Sequence, residues 1–119
     1  MHRTFVMTAE FDRQWRNMGL NDDDLRRLEQ GILENPKIGA VIQGTGKLRK
    51  MRFAFEGKGK SGSIRVSYVD FEIYATVYLI HAYSKNEKDN LSEQERNEIK
   101  KFIDRIEKAL DRRYRYERI

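Results

Sequence analysis

The sequence predicts an α+β domain in which helices pack on an antiparallel sheet, in the order β-α-α-β-β-β-α. Three observations carry this. Apolar residues recur at helical spacing in three stretches, each opened by a capping residue. Between the second and third of these, apolar and polar residues alternate as they do in half-buried strands. The connections between the alternating runs are short, which favours a meander of neighbouring strands. A length of 119 residues, 39% of them hydrophobic, makes residues 1–119 a single domain with one modest core.

Taken in order, residues 4–7 are a short apolar run and the first strand. Thr8 caps a helix that places Phe11, Trp15 and Met18 on one face, and Gly19 stops it. Asn21 caps the second helix. Asp22, Asp23 and Asp24 fill its first turn, where the helix dipole favours acids, and this explains the cluster without a metal. Leu20 and Leu25 are spaced as a hydrophobic staple, and Leu25, Leu28, Ile32 and Leu33 form the buried stripe. Asn35-Pro36 ends this helix, because a residue before proline is pushed out of the α region.

Residues 37–47 read as a loop. Over 48–55, Met51, Phe53 and Phe55 should face the core, and Lys50 and Arg52 the other side. Residues 56–63 read as a glycine-rich loop. Its Gly59-Lys60-Ser61 is not a phosphate-binding P-loop, since Ala54 stands where the upstream glycine is required and a strand follows. Ile64, Val66 and Tyr68 mark the next strand, with Arg65 and Ser67 on its other face. A tight turn is expected at 70–72 and a β-prone strand at 73–83. The last helix covers 91–113. Ser92 and Glu95 make its capping box, and Ile99, Phe102, Ile103, Ile106 and Leu110 its stripe for docking on the sheet. The Arg- and Tyr-rich segment 112–118 is either a fraying helix end or a contact surface.

Charge is concentrated. Residues 47–66 carry seven Lys or Arg against the single acid Glu56, a net of +6, while the whole chain nets +5. Such a local cationic field suits a polyanion, and RNA, DNA or the ribosome is the first partner class to consider. The chain has no cysteine and two histidines, His2 and His81. This excludes a disulfide framework and a thiolate zinc site, and it suits a reducing compartment. No apolar run is long enough for a membrane span, and the N-terminal residues do not follow a signal-peptide pattern.

Several blocks in order carry a family resemblance. They are Asn35-Pro36 at the second helix end, GTGKLRK at 44–50, GKGKSG at 57–62, IRVSY at 64–68 and LIHAYSKNEKDNLS at 79–92. Together they resemble the RelE/ParE superfamily of bacterial toxins, in particular its HigB-like branch, over residues 35–103. The resemblance implies a RelE-like, microbial-ribonuclease-like fold and a cytoplasmic toxin of a type II toxin–antitoxin pair. Such toxins enter the ribosomal A site and cleave mRNA there. The implied partner is a cognate antitoxin with a helix-turn-helix DNA-binding domain, so that operator DNA is reached only through the antitoxin. No cofactor, metal or membrane is implied. ParE-like inhibition of DNA gyrase, or a catalytically inactive nucleic-acid- or antitoxin-binding module, are the alternatives that one fold allows.

Cleavage by attack of a 2′-hydroxyl on the adjacent phosphate needs a base, stabilisation of the developing charge and an acid for the leaving oxygen. The resemblance implies that lysines and arginines do most of this. Arg65 matches the family's sheet arginine and is the candidate to hold the scissile phosphate bidentately. Lys58, Lys60, Lys85 and Tyr83 complete the catalytic candidates, since clustered cations can bring a lysine toward neutrality so that it acts as a base. Lys47, Arg49, Lys50, Arg52, Asn86 and Lys88 are the RNA-binding candidates. Asn86 stands where RelE-type members carry an arginine, and Leu91-Ser92 where they carry a tyrosine. Tyr83 is the substitute for that tyrosine, because Tyr68 should face inward with Ile64 and Val66. His81 reads as a packed residue of an apolar strand.

Overall fold

The computed structural model describes residues 2–57, 60–84 and 90–117, excepting the side chains of residues 56, 60, 61 and 117. Its elements are β1 (Thr4–Met7), α1 (Ala9–Asn17), α2 (Asp22–Glu34), β2 (Ala40–Val41), β3 (Arg49–Gly57), β4 (Lys60–Phe71), a 3-10 turn (Glu72–Tyr74), β5 (Thr76–Ser84) and α3 (Glu93–Glu117). They form one five-stranded sheet in the order β1-β5-β4-β3-β2. The β3-β4-β5 meander is antiparallel, as the alternation implies. The sheet as a whole is mixed, because β1 runs parallel to β5 along its outer edge.

The helix signals act as expected. The Thr8 side chain accepts from Phe11 N, and Gly19 takes a positive φ just beyond α1. Asn21 and Asp24 form a reciprocal capping box on α2. Ser92 and Glu95 form another ahead of α3, at 2.9 and 3.1 Å. Asn35 is extended, with φ −149° and ψ 87°, as a residue before proline should be.

The core has two parts, one on each sheet face. Phe11 and Trp15 of α1 and Leu28 and Ile32 of α2 pack on Phe53, Ile64, Val66, Tyr68 and Leu79. On the other face Ile103, with the partly buried Ile99, Ile106 and Leu110, covers Leu48, Val69, Phe71 and Ile80. Phe102 lies at the margin of that stripe, 36% exposed.

Four segments depart from the sequence expectation. The presumed loop at 37–47 contains the short strand β2. The presumed glycine-rich loop at 56–63 is largely strand, paired out to Gly57↔Lys60. There the ring of Phe55 lies over its cross-strand partner Gly62, so close that an added Cβ would meet it at 3.1 Å. An aromatic covering a glycine in this way makes it a strand residue. The last strand begins at Thr76 and not at 73, because 72–74 form a 3-10 turn and Ala75 is left-handed at φ 49°. Finally, α3 continues to Glu117, so segment 112–117 is helix.

Candidate nucleic-acid interface

The period of two along β3 and β4 decides the site. Met51, Phe53 and Phe55 turn to the α1/α2 core, and Lys50 and Arg52 therefore turn to the α3 side. On β4, Ile64, Val66 and Tyr68 take the core side, and Arg65 and Ser67 share the opposite face with Lys50 and Arg52. The apolar stripe of α3 packs on the half of that face carrying Val69, Phe71 and Ile80. The half toward the β3–β4 hairpin end holds the cations.

There the register builds two rows across three strands. Lys50, Ser67 and His81 are consecutive partners, and Arg52, Arg65 and Tyr83 form the next row. Directly opposed residues lie about 5 Å apart at Cβ. The His81 row depends on a β-bulge. Ser67 pairs with His81 but Tyr68 with Leu79, so Ile80 is an extra residue in β5. The bulge lets Ile80 and His81 both serve the α3 side.

Among the described residues, three buried side-chain atoms have no hydrogen-bond partner: Arg65 Nη1, Ser67 Oγ and Arg96 Nε. Two of the three belong to this face. A buried, unpartnered guanidinium N–H is costly, and an incoming anion would satisfy it.

His81 is not the packed core residue its apolar neighbours suggested. Its ring is partly exposed, and Nε2 lies 3.1 Å from Glu10 Oε2 of α1. α1 closes the outer edge of β5 beyond β1. Thr8 Oγ1 donates to Ile80 O at 2.8 Å, and Gln14 Oε1 accepts from Ala82 N at 2.9 Å. No local pattern ties residue 10 to residue 81, and only the fold brings them together.

The structure does not bring every candidate to this face. Lys47 pairs with Glu107 of α3, with its ammonium 5.9 Å from the centroid of Phe71. Arg49 turns away from Lys50, and its Nη1 donates to Gly39 O at 2.7 Å. Both therefore serve the packing of their own strand end. Lys58, Lys85, Asn86 and Lys88 lie outside the described residues, as does the side chain of Lys60. Tyr68 is fully buried, donating its hydroxyl to Pro36 O at 2.8 Å and accepting from Gly39 N at 3.0 Å. Burial pushes its phenol above the ordinary range. Tyr83 is the tyrosine beside Arg65.

The acids Asp23 and Asp24 of the α2 start pair with Arg26 and Arg27, one turn along. Among the described residues no group of three or more metal-ligating side chains is assembled. No helix among them is long and apolar enough to cross a membrane.

Comparison with solved structures finds similarity to an arginine double mutant of the E. coli toxin RelE in the free state. The TM-score is 0.49 and the identity 18%, covering 72% of this chain and 86% of that one. The family model for the RelE toxin of the RelE/RelB toxin–antitoxin system matches residues 2–114. A match of this family model over nearly the whole chain makes this protein a member of the RelE toxin family.

Proposed function

We propose that this toxin belongs to the HigB-like branch and cleaves mRNA on the ribosome, in the cytoplasm, until its cognate antitoxin neutralises it. The observation that supports this best is the sheet face beyond the α3 stripe, on which Lys50, Arg52 and Arg65 stand together and, among the described residues, Arg65 Nη1 is buried without a partner. A guanidinium so placed can grip the scissile phosphate and hold the charge that develops on its oxygens. Lys50 and Arg52 guide the backbone on either side. Tyr83 stacks on a base or passes a proton at the phosphate. Lys58, Lys60 and Lys85 are the base and acid candidates, and Asn86 and Lys88 add backbone contacts.

In this reading the 2′-oxygen attacks phosphorus, a base takes its proton, and an acid protonates the departing 5′-oxygen. The partner is an antitoxin with a helix-turn-helix domain, which carries the pair to operator DNA.

The test is mRNA cleavage in a purified translation system, with and without ribosomes, mapping the new 5′ ends. Cuts within codons only when ribosomes are present support the reading, and Arg65→Ala should strongly reduce them in folded protein. An absence of cuts, with DNA supercoiling by gyrase inhibited, would overturn it in favour of gyrase poisoning. An absence of both would leave a binding module.

A further inference from the structure

Next to the cationic rows, the sheet face and the first turns of α3 enclose a cavity of about 180 Å³. At ~30 Å³ per liquid water it has room for about six waters, or for one flat heteroaromatic ring. Ser67 and His81, opposed across β4 and β5, both line it. Ser67 is 3% exposed and its Oγ has no partner. His81 keeps Nδ1 beyond its bond to Glu10, since that bond uses Nε2. Ile42, Leu48, Leu91 and Ile99 supply apolar walls.

The chemistry of this lining selects its ligand. An unpartnered buried hydroxyl asks for a polar edge, and the apolar walls ask for a flat, poorly hydrated face. A phosphate does not fit. The described lining contains no Lys or Arg, and Glu95 is part of it. The phosphate belongs with Arg65, one row away along β4. That row lies two residues, about 6.6 Å, from Ser67, which is the reach from a phosphate to the base of its own nucleotide.

We infer that the cavity over Ser67 and His81 takes one nucleobase of the RNA whose phosphate Arg65 holds, and so sets the base preference of the toxin. The inference rests on the nuclease reading for its RNA. Its own test is binding, which does not need cleavage.

Isotope-labelled protein is titrated with AMP, GMP, CMP and UMP, and with ribose 5-phosphate as the control that carries no base, following backbone amide shifts. The expected result is that at least one nucleotide binds about tenfold tighter than ribose 5-phosphate and shifts the amides of Ser67, His81 and Leu91. Ser67→Val, which narrows the cavity and removes the hydroxyl, should erase the advantage of that nucleotide over ribose 5-phosphate. Ser67→Ala, which only removes the hydroxyl, should reduce it, and this variant serves if the valine form does not fold. In the ribosome assay, either change should flatten the base preference at one position beside the cut. Arg65→Ala should instead lower cleavage at all bases alike.

Nucleotides binding no better than ribose 5-phosphate would overturn the inference. So would a base advantage that survives both Ser67 variants. Base-selective binding without ribosomal cleavage would keep the cavity and sink the nuclease reading. Cleavage with a base preference indifferent to Ser67 would do the reverse.

Discussion

Arg65 stands directly opposite Arg52 in the β3–β4 ladder, and the two share the sheet face beyond the apolar stripe of α3. Like charges in that relation destabilise a sheet, whereas an opposite pair or two β-branched residues would support it. A fold selected for stability alone has no use for the arrangement, and a phosphate backbone does. Arg52→Thr should therefore raise unfolding stability by about 0.2–1 kcal/mol in urea titrations while weakening RNA binding and cleavage. The wild type should also gain more stability than the variant as salt is raised, since screening relieves the repulsion. A variant that is both less stable and fully active would show that Arg52 is structural.

Tyr68 joins the sheet to the chain that follows α2. Its hydroxyl bonds both Pro36 O and Gly39 N. Gly39 packs so closely on the ring that an added Cβ would lie 2.9 Å from Tyr68 Cε1. Tyr68→Phe leaves a buried N–H and a carbonyl unpaired and should cost about 1–3 kcal/mol in chemical denaturation.

The same residue gives a pH signature. Burial raises the Tyr68 phenol in the folded state above its unfolded value of about 10. Below that value both states hold the proton, and the contribution of Tyr68 is complete. Above it the unfolded chain ionises first, so the contribution falls as pH rises toward the folded value. The stability gap between wild type and Tyr68→Phe should therefore be constant near neutrality and shrink above pH about 10. A gap that widens with alkaline pH would contradict the assignment.

The two faces of β3 and β4 were legible in the sequence because alternation is a local signal. Met51 and Phe53 on one side and Lys50 and Arg52 on the other follow from the period of two alone. The caps at Thr8, Asn21 and Ser92 were legible for the same reason. What was not legible was long-range. Lys47 and Arg49 belong to the same basic run, yet Glu107 and the Gly39 carbonyl claim their side chains. Ile73 reads as strand by propensity but is 74% exposed on the 3-10 turn, and Ala75 breaks the run with a left-handed backbone. Ser67 shows no signal of its own in the sequence. Its importance appears only when the bulge at Ile80 sets His81 opposite it.

The α2 start offers a check on local stability. Asp24 N donates to Asn21 Oδ1 at 2.9 Å, and Asn21 N donates to Asp24 Oδ2 at 3.0 Å. Asn21→Ala removes the first bond and weakens the second. It should cost about 1 kcal/mol by thermal or urea unfolding, and Asn21→Ser should recover most of the loss. Equal losses for both variants would mean that this cap contributes nothing specific.

The pair Arg3–Asp70 is the tie whose loss should be felt at the site. Arg3 Nε donates to Asp70 Oδ1 at 2.9 Å, and both side chains are less than 10% exposed. The hydrogen bond to Asp70 is the main cause holding the guanidinium above its ordinary range. Asp70 lies on β4 and Arg3 just before β1, so the pair spans β5 and pins the parallel edge strand. β1 leads straight into Thr8 and α1, which carry the bond to Ile80 O and the Glu10 partner of His81. Arg3→Met leaves the Asp70 carboxylate without its partner and should cost about 3 kcal/mol. The double change Arg3→Met with Asp70→Leu, which removes both charges, should recover much of that loss. If the edge strand positions α1, hydrogen exchange in the single variant should rise at Ala82, whose N–H bonds Gln14, before it rises at Val66 in the sheet centre. Uniform exchange across both amides would mean that the pair stabilises the fold globally and does not position the β5 edge.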